Sequence, residues 1–167
     1  TNSDTEILIA GYKIKGIKFI EDLRGMYSFA LYDKKINKIF LVRDNIGIKP
    51  LVYYFSKDIF IFSSEIKSIL NYVRNIKVNI NAVNEFFTRR FIPATKTIYN
   101  NTYKLKKGTF LEYNIIENNY KIIQFQNKHF STNENIENKI KSIKNKFKET
   151  VKSHLLSDVP ISLMLSG

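Results

Sequence analysis

The sequence predicts an α+β fold, and three observations predict it. Tyr27, Phe29 and Leu31 alternate with Ser28, Ala30 and Tyr32, the two-residue period of a half-buried strand. Two turn clusters, Asp33-Lys34-Lys35-Ile36-Asn37 and Ser56-Lys57-Asp58, each separate a pair of strand-like runs, as hairpins require. Near both ends a Ser-x-x-Glu pattern, at 3–6 and 131–134, precedes apolar residues at helical spacing, the signature of a capping box.

Taken in order, Ser3 opens a helix that carries Ile7, Leu8 and Tyr12, and Gly16 ends it. Ile17, Phe19, Ile20 and Leu23 make a second short helix, closed by Gly25. Residues 27–32 and 38–42 form the first hairpin. Residues 43–50 are a loop punctuated by Gly47 and Pro50. Residues 51–55 and 59–63 form the second hairpin, and 64–72 a helix with Ile66, Ile69 and Leu70 inward. Asn81 is the expected cap of a helix running to Arg90, stopped at Phe91-Ile92-Pro93. Residues 109–114 and 120–125 pair as strands. The stretch 127–132 is polar and aperiodic, so the domain boundary is expected there, with 1–127 as one domain and 128–167 as linker and start of another. Ile136, Ile140, Ile143, Phe147, Val151 and Leu155 then recur every three or four residues, a long amphipathic helix. Residues 159–165 read as an apolar strand that runs into Ser166-Gly167.

Composition closes several routes. The 167 residues hold no Cys, which excludes a disulfide framework, a zinc finger and a cysteine nucleophile within them. The two histidines, His129 and His154, are far apart, and no metal site is assigned. No apolar run reaches the ~18 residues that cross a bilayer, so no membrane partner is expected. The net charge of +12 invites a nucleic-acid surface. The lysines are scattered singly or in pairs, however, and Lys, Ile and Asn are all over-used, as AT-rich codons would give. The charge is read as codon usage, and no specific nucleic acid is expected. Both ends read as internal, so a longer chain is expected, working in the cytoplasm; a homodimer stays open.

Four segments could carry chemistry. Asp4 sits in the first turn of its helix, where it suits the helix dipole as a structural residue. As a functional one its carboxylate would hold a ligand's ammonium group. In Arg43-Asp44-Asn45-Ile46-Gly47, an internal Arg–Asp pair within a β-connection is favoured over a catalytic dyad. Glu65 is either a buried acid or, the safer reading, a surface cap residue. Leu165, Ser166 and Gly167 form a strand-to-loop end whose bare N–H groups suit a phosphate.

In this order the segments resemble the class II glutamine amidotransferases. Ser3-Asp4-Thr5-Glu6 resembles that family's glutamine-site helix start. Residues 43–51, with Arg43-Asp44, Gly47, Lys49 and Pro50, are similar to its central loop, with Gly25-Met26-Tyr27-Ser28-Phe29-Ala30-Leu31-Tyr32-Asp33 between the two. Ser64-Glu65-Ile66-Lys67, Phe91-Ile92-Pro93, Thr97-Ile98-Tyr99 and Leu105-Lys106-Lys107-Gly108 resemble the glutamine-hydrolysing asparagine synthetases in particular. So do Ser153-His154-Leu155, Ser157-Asp158-Val159-Pro160 and Leu165-Ser166-Gly167, which resemble the approach to a pyrophosphatase-type ATP loop.

The resemblance implies the later part of an N-terminal-nucleophile (αββα) glutaminase domain, followed by the first helix and strand of an α/β ATP-pyrophosphatase-type synthetase domain. It implies glutamine, aspartate and ATP as substrates and Mg2+ beside the phosphates. It assigns glutamine binding to Asp4 and ATP binding to Leu165, Ser166 and Gly167; Arg43, Asp44 and Gly47 are given architecture. No catalytic residue is assigned, because the family's nucleophilic Cys matches no position here. The 167 residues alone are therefore expected to be inactive. Three rivals remain: a relative that amidates another carboxylate, such as a surface-polysaccharide sugar; a basic binding module without chemistry; and a degenerate gene remnant with no function.

Overall fold

A computed structural model describes residues 3–125 and 135–165. The chain divides into two units, residues 1–127 and 128–167, each taken by itself below. The described part of the first unit runs α1 (Asp4–Lys15), a 3₁₀ turn (Gly16–Asp22), β1 (Ser28–Asp33), β2 (Lys38–Arg43), β3 (Val52–Phe55), β4 (Phe60–Ser63), α2 (Ile66–Tyr72), α3 (Ile80–Arg89), β5 (Thr102–Lys104), β6 (Thr109–Asn114) and β7 (Asn119–Gln124). The strands form two antiparallel sheets, ordered β1-β2-β6-β7 and β4-β3-β5. The class is α+β with antiparallel sheets, as the hairpins predict.

The two-residue period of β2 explains how the layers stack. Phe40 and Val42 point to one face, where they meet Phe19, Ile20, Phe110 and Phe125 beneath α1. Ile39 and Leu41 point to the other, where they meet Leu51, Tyr53, Leu105, Leu111 and Tyr113 of the inter-sheet core. A strand that feeds two cores must be apolar on both faces, which is why Ile39 to Val42 read as a continuous run. A third cluster, Val52, Ile69 and Val73, lies between the second sheet and α2. The order is thus helix, sheet, sheet, helix, the layered solution for two sheets that each have an apolar face left to cover. Each fully buried Leu or Ile in these clusters contributes about 2 kcal/mol of transfer free energy.

Local details differ from the expectation in two places. The cap of α3 is Asn79 rather than Asn81: its backbone is extended and its side-chain oxygen accepts the Ala82 N–H at 3.2 Å, which leaves Asn81 inside the helix. The strand β5 was not expected, since three residues show no period; it forms because Thr102, Tyr103 and Lys104 pair with β3.

In the second unit the expected long helix is present as α4 (Ile136–His154). It buries no residue, and Ile136, Ile140, Ile143, Phe147 and Val151 all face solvent. The capping box at 131–134 lies outside the described residues, as does His129. The strand expected over 159–165 is not formed, and Leu163, Met164 and Leu165 are exposed. A strand of a parallel sheet needs partner strands along its edges and helices on both faces, and the described residues supply none of these to it.

Candidate functional site

Asp4 is the first residue of α1 and follows directly on its cap. The Ser3 hydroxyl accepts the Thr5 N–H at 3.3 Å, and the Ser3 carbonyl accepts the Glu6 N–H at 3.0 Å. The Asp4 carboxylate itself is exposed and has no partner among the described residues. It stands at the positive end of the helix dipole, where an anion is favoured, and is free to take a cationic ligand. Leu165, in the second unit, is 92% exposed. Ser166 and Gly167 lie outside the described residues.

The loop after β2 is built around two side chains that do not pair with each other. Asp44 is buried, at 1% exposure. One carboxylate oxygen accepts the N–H groups of Ile46, Gly47 and Ile48 at 3.1, 2.7 and 3.1 Å, and the other accepts that of Lys49 at 3.0 Å. Burial opposes its ionisation, but the four amides outweigh burial and hold the carboxyl below its usual range. Arg43 satisfies the carbonyls instead. Its Nε donates to Lys49 at 2.9 Å, and its terminal nitrogens donate to Leu105 at 2.7 Å and Gly47 at 2.8 Å. The expected Arg43–Asp44 ion pair is therefore absent: Asp44 takes the loop's donors, while Arg43 takes two of its carbonyls and that of Leu105. Gly47 sits at φ +77°, and a Cβ there would come within 3.0 Å of the Lys107 Cβ. The loop is thus a fixed turn and no catalytic dyad.

Tyr27 leads into β1, and its carbonyl accepts the Asp44 N–H at 2.9 Å. Its hydroxyl is buried without a hydrogen-bond partner among the described residues. Burial, and then the charge of Asp44, push that hydroxyl up to about 12. Glu65 occupies the cap position of α2 but is exposed, and its side chain does not cap; the Ser63 hydroxyl accepts the Glu65 N–H at 3.2 Å. The surface reading of Glu65 is the one observed.

On the outer face of the first sheet, the Tyr12 hydroxyl donates to Asp33 at 2.8 Å. Burial, then the hydrogen bond and charge of Asp33, push it up to about 12. Glu112 takes Lys38 at 2.7 Å and Lys121 at 3.3 Å. Neither cluster was legible as such: Tyr12 and Glu112 carried only the signals of a helix face and a strand. For Asp44 a signal did exist, since an Asp three residues before a Gly is the composition of an Asx turn.

The family described as a glutamine amidotransferase domain matches residues 1–126. The chain belongs to that family. The chain is 35% identical over 171 residues to a Methanocaldococcus jannaschii protein provisionally named glutamine-hydrolysing asparagine synthetase 2, a match over 100% of the chain and 33% of that protein. It is 33% identical over 182 residues to the glutamine-hydrolysing asparagine synthetase 2 of Bacillus subtilis, over 100% of the chain and 24% of that enzyme. It is 30% identical over 171 residues to amidase chry2 of Gibberella zeae, over 99% of the chain and 25% of that protein. The chain spans a third or less of the length of these relatives.

Proposed function

We propose that this amidotransferase chain belongs to an enzyme that makes asparagine from aspartate, glutamine and ATP, with residues 1–127 in the glutamine-hydrolysing domain and 128–167 leading into the ATP-binding domain. One observation carries the proposal. The domain family accounts for residues 1–126, while similarity to proteins named asparagine synthetase runs through both units to the end of the chain.

Asp4 is the residue of this chain that acts on glutamine. Its exposed carboxylate, without a partner among the described residues, takes the α-ammonium group by a charge-assisted hydrogen bond, which fixes the end of the substrate away from the reacting amide. A cysteine outside these 167 residues attacks that amide and releases ammonia. ATP activates the aspartate side chain as the β-aspartyl adenylate with release of pyrophosphate; ammonia then displaces AMP to give asparagine. Leu165, Ser166 and Gly167 would present backbone N–H groups to the nucleotide phosphates. Magnesium would neutralise phosphate charge there. Among the described residues there is no group of three His, Cys, Asp or Glu placed to hold a metal ion. No helix among the described residues is long and apolar enough to cross a membrane; a cytoplasmic place of work is proposed from the use of ATP.

The test is Asp4→Asn in the longer enzyme. Loss of one charge-assisted bond of about 2 kcal/mol raises the glutamine KM roughly thirtyfold, while ammonia still serves as nitrogen donor. An unchanged glutamine KM would overturn the role of Asp4. The 167 residues alone, having no Cys, release no glutamate from glutamine. The similarity to amidase chry2 supports a second reading, in which the acceptor is a carboxylate other than aspartate. Parallel assays with aspartate and with uronic acids separate the two, since each reading allows turnover of only one.

A further inference from the structure

The helix that carries Asp4 is packed on the rest of the unit by a narrow stripe, with one exposed ion pair, Lys15 to Asp22 at 2.6 Å, at its far end. Of its twelve residues only Leu8, Gly11 and Tyr12 are drawn partly out of solvent. Gly11 lies so close to Phe19 that a Cβ would stand 2.6 Å from the ring. Tyr12 packs against Phe19 and Phe40, with ring centroids 6.4 and 5.8 Å apart. From that contact its hydroxyl reaches Asp33, the last residue of β1, at 2.8 Å. Asp33 is held in turn by the Lys35 N–H, which donates to its other oxygen at 2.8 Å. The helix is therefore pinned near its C-terminal half to the end of a hairpin, and its N-terminal turn is exposed on every side.

We propose that Tyr12 and Asp33 are a positioning pair for glutamine: their hydrogen bond fixes the tilt of α1 and so the place at which Asp4 presents its carboxylate. With Asp4 as the partner of the glutamine ammonium, as proposed above, the lever is easily sized. Asp4 stands eight residues before Tyr12 in the helix, about 12 Å along its axis, so a tilt of about 10° at the pin carries Asp4 by about 2 Å. A displacement of that size breaks a hydrogen bond to the substrate. Ring packing alone resists such a tilt weakly, because apolar contact is non-directional; a hydrogen bond to a fixed carboxylate has a preferred length and angle. Tyr12 reaches no substrate and is not catalytic. It acts through Asp4.

The experiment compares Tyr12→Phe, Asp33→Ala, Asp33→Asn and Asp4→Asn in the longer enzyme. Tyr12→Phe keeps the ring against Phe19 and Phe40, so the fold is retained. The expected result is a glutamine KM raised about tenfold with kcat little changed, and no matching change in the ammonia concentration needed for ammonia-driven synthesis. Asp33→Ala behaves like Tyr12→Phe, and Asp33→Asn, which keeps an acceptor oxygen, restores most of the loss. Combined with Asp4→Asn, Tyr12→Phe adds little, because both remove one interaction. If Tyr12→Phe leaves the glutamine KM unchanged while Asp4→Asn raises it, the positioning pair is refuted and the role of Asp4 stands. If Asp4→Asn itself has no effect, the role of Asp4 fails first and the pair with it. A loss of kcat and melting temperature in Tyr12→Phe, with KM unmoved, would mean that the bond only holds the fold.

Discussion

The N–H of Asp44 donates to the carbonyl of Tyr27 across 2.9 Å, tying the loop after β2 to the start of β1. The same two residues meet a second time in the interior: the buried Tyr27 hydroxyl, which lacks a partner, lies in the field of the Asp44 carboxylate. One side chain is saturated with hydrogen bonds, and the hydroxyl of the other has none among the described residues.

That asymmetry gives Tyr27→Phe an unusual sign. An unsatisfied buried hydroxyl costs about 1 kcal/mol or more, while the ring keeps its contact with Phe29 at 6.0 Å between centroids. The variant is expected to be more stable by about 1 kcal/mol, a rise of about 3 °C in melting temperature. Thermal unfolding followed by circular dichroism checks it, and a lower melting temperature would show that the hydroxyl has a partner.

Asp44→Asn removes the charge that four amides share. An amide oxygen can still accept, but its NH2 now faces donors, and a loss of about 2 kcal/mol is expected. The pH dependence has a definite direction. The folded-state carboxyl lies below its unfolded value of about 3.9, so its contribution is complete above that value and fades as pH falls through the lower, folded one. The stability gap between wild type and Asp44→Asn therefore narrows below about pH 4. Urea titrations at pH 7 and at pH 3 measure it; a gap that does not narrow removes Asp44 as its source.

In α4 no residue is buried, and a helix draws most of its stability from tertiary packing of an apolar face. Its amides should exchange with solvent far faster than those of β2 and β6, whose residues Leu41, Val42 and Leu111 are fully buried. Hydrogen-exchange mass spectrometry separates the two segments by peptide. Equal protection in the two segments would overturn this expectation.

What was legible in the sequence followed from local rules. The two hairpins and the cap of α1 were readable because alternation and Ser-x-x-Glu act within a few residues. Choosing Asn79 over Asn81 was not, since both have the right side chain and the choice depends on where the incoming chain is extended. Nor was β5, whose three residues are strand only because β3 lies beside them. The Arg43–Asp44 pair was inferred from opposite charges at adjacent positions; in the structure each charge is satisfied by backbone groups instead, Asp44 by four amides of its loop and Arg43 by the carbonyls of Gly47, Lys49 and Leu105. Residues 159–165 have a strand's composition but lack neighbours, and composition cannot supply them. At the site, Asp4 could be named from its segment, whereas Tyr12 and Asp33 are 21 residues apart and no spacing rule joins them.

The double-faced character of β2 has a cost in specificity. In most strands a slip of one residue throws the apolar set into water, and that penalty locks the alignment. In β2 the same slip would merely exchange Phe40 and Val42 for Ile39 and Leu41, oil for oil, so hydrophobicity is nearly indifferent to which way the strand is threaded. What discriminates is at the two ends. Lys38 must land beside Glu112 at one, and Arg43 must reach the Gly47 and Lys49 carbonyls of the turn and that of Leu105 at the other. The central strand of this domain is thus a greased bolt with a charged key at each end, and its alignment depends on two basic residues that contribute almost nothing to the core.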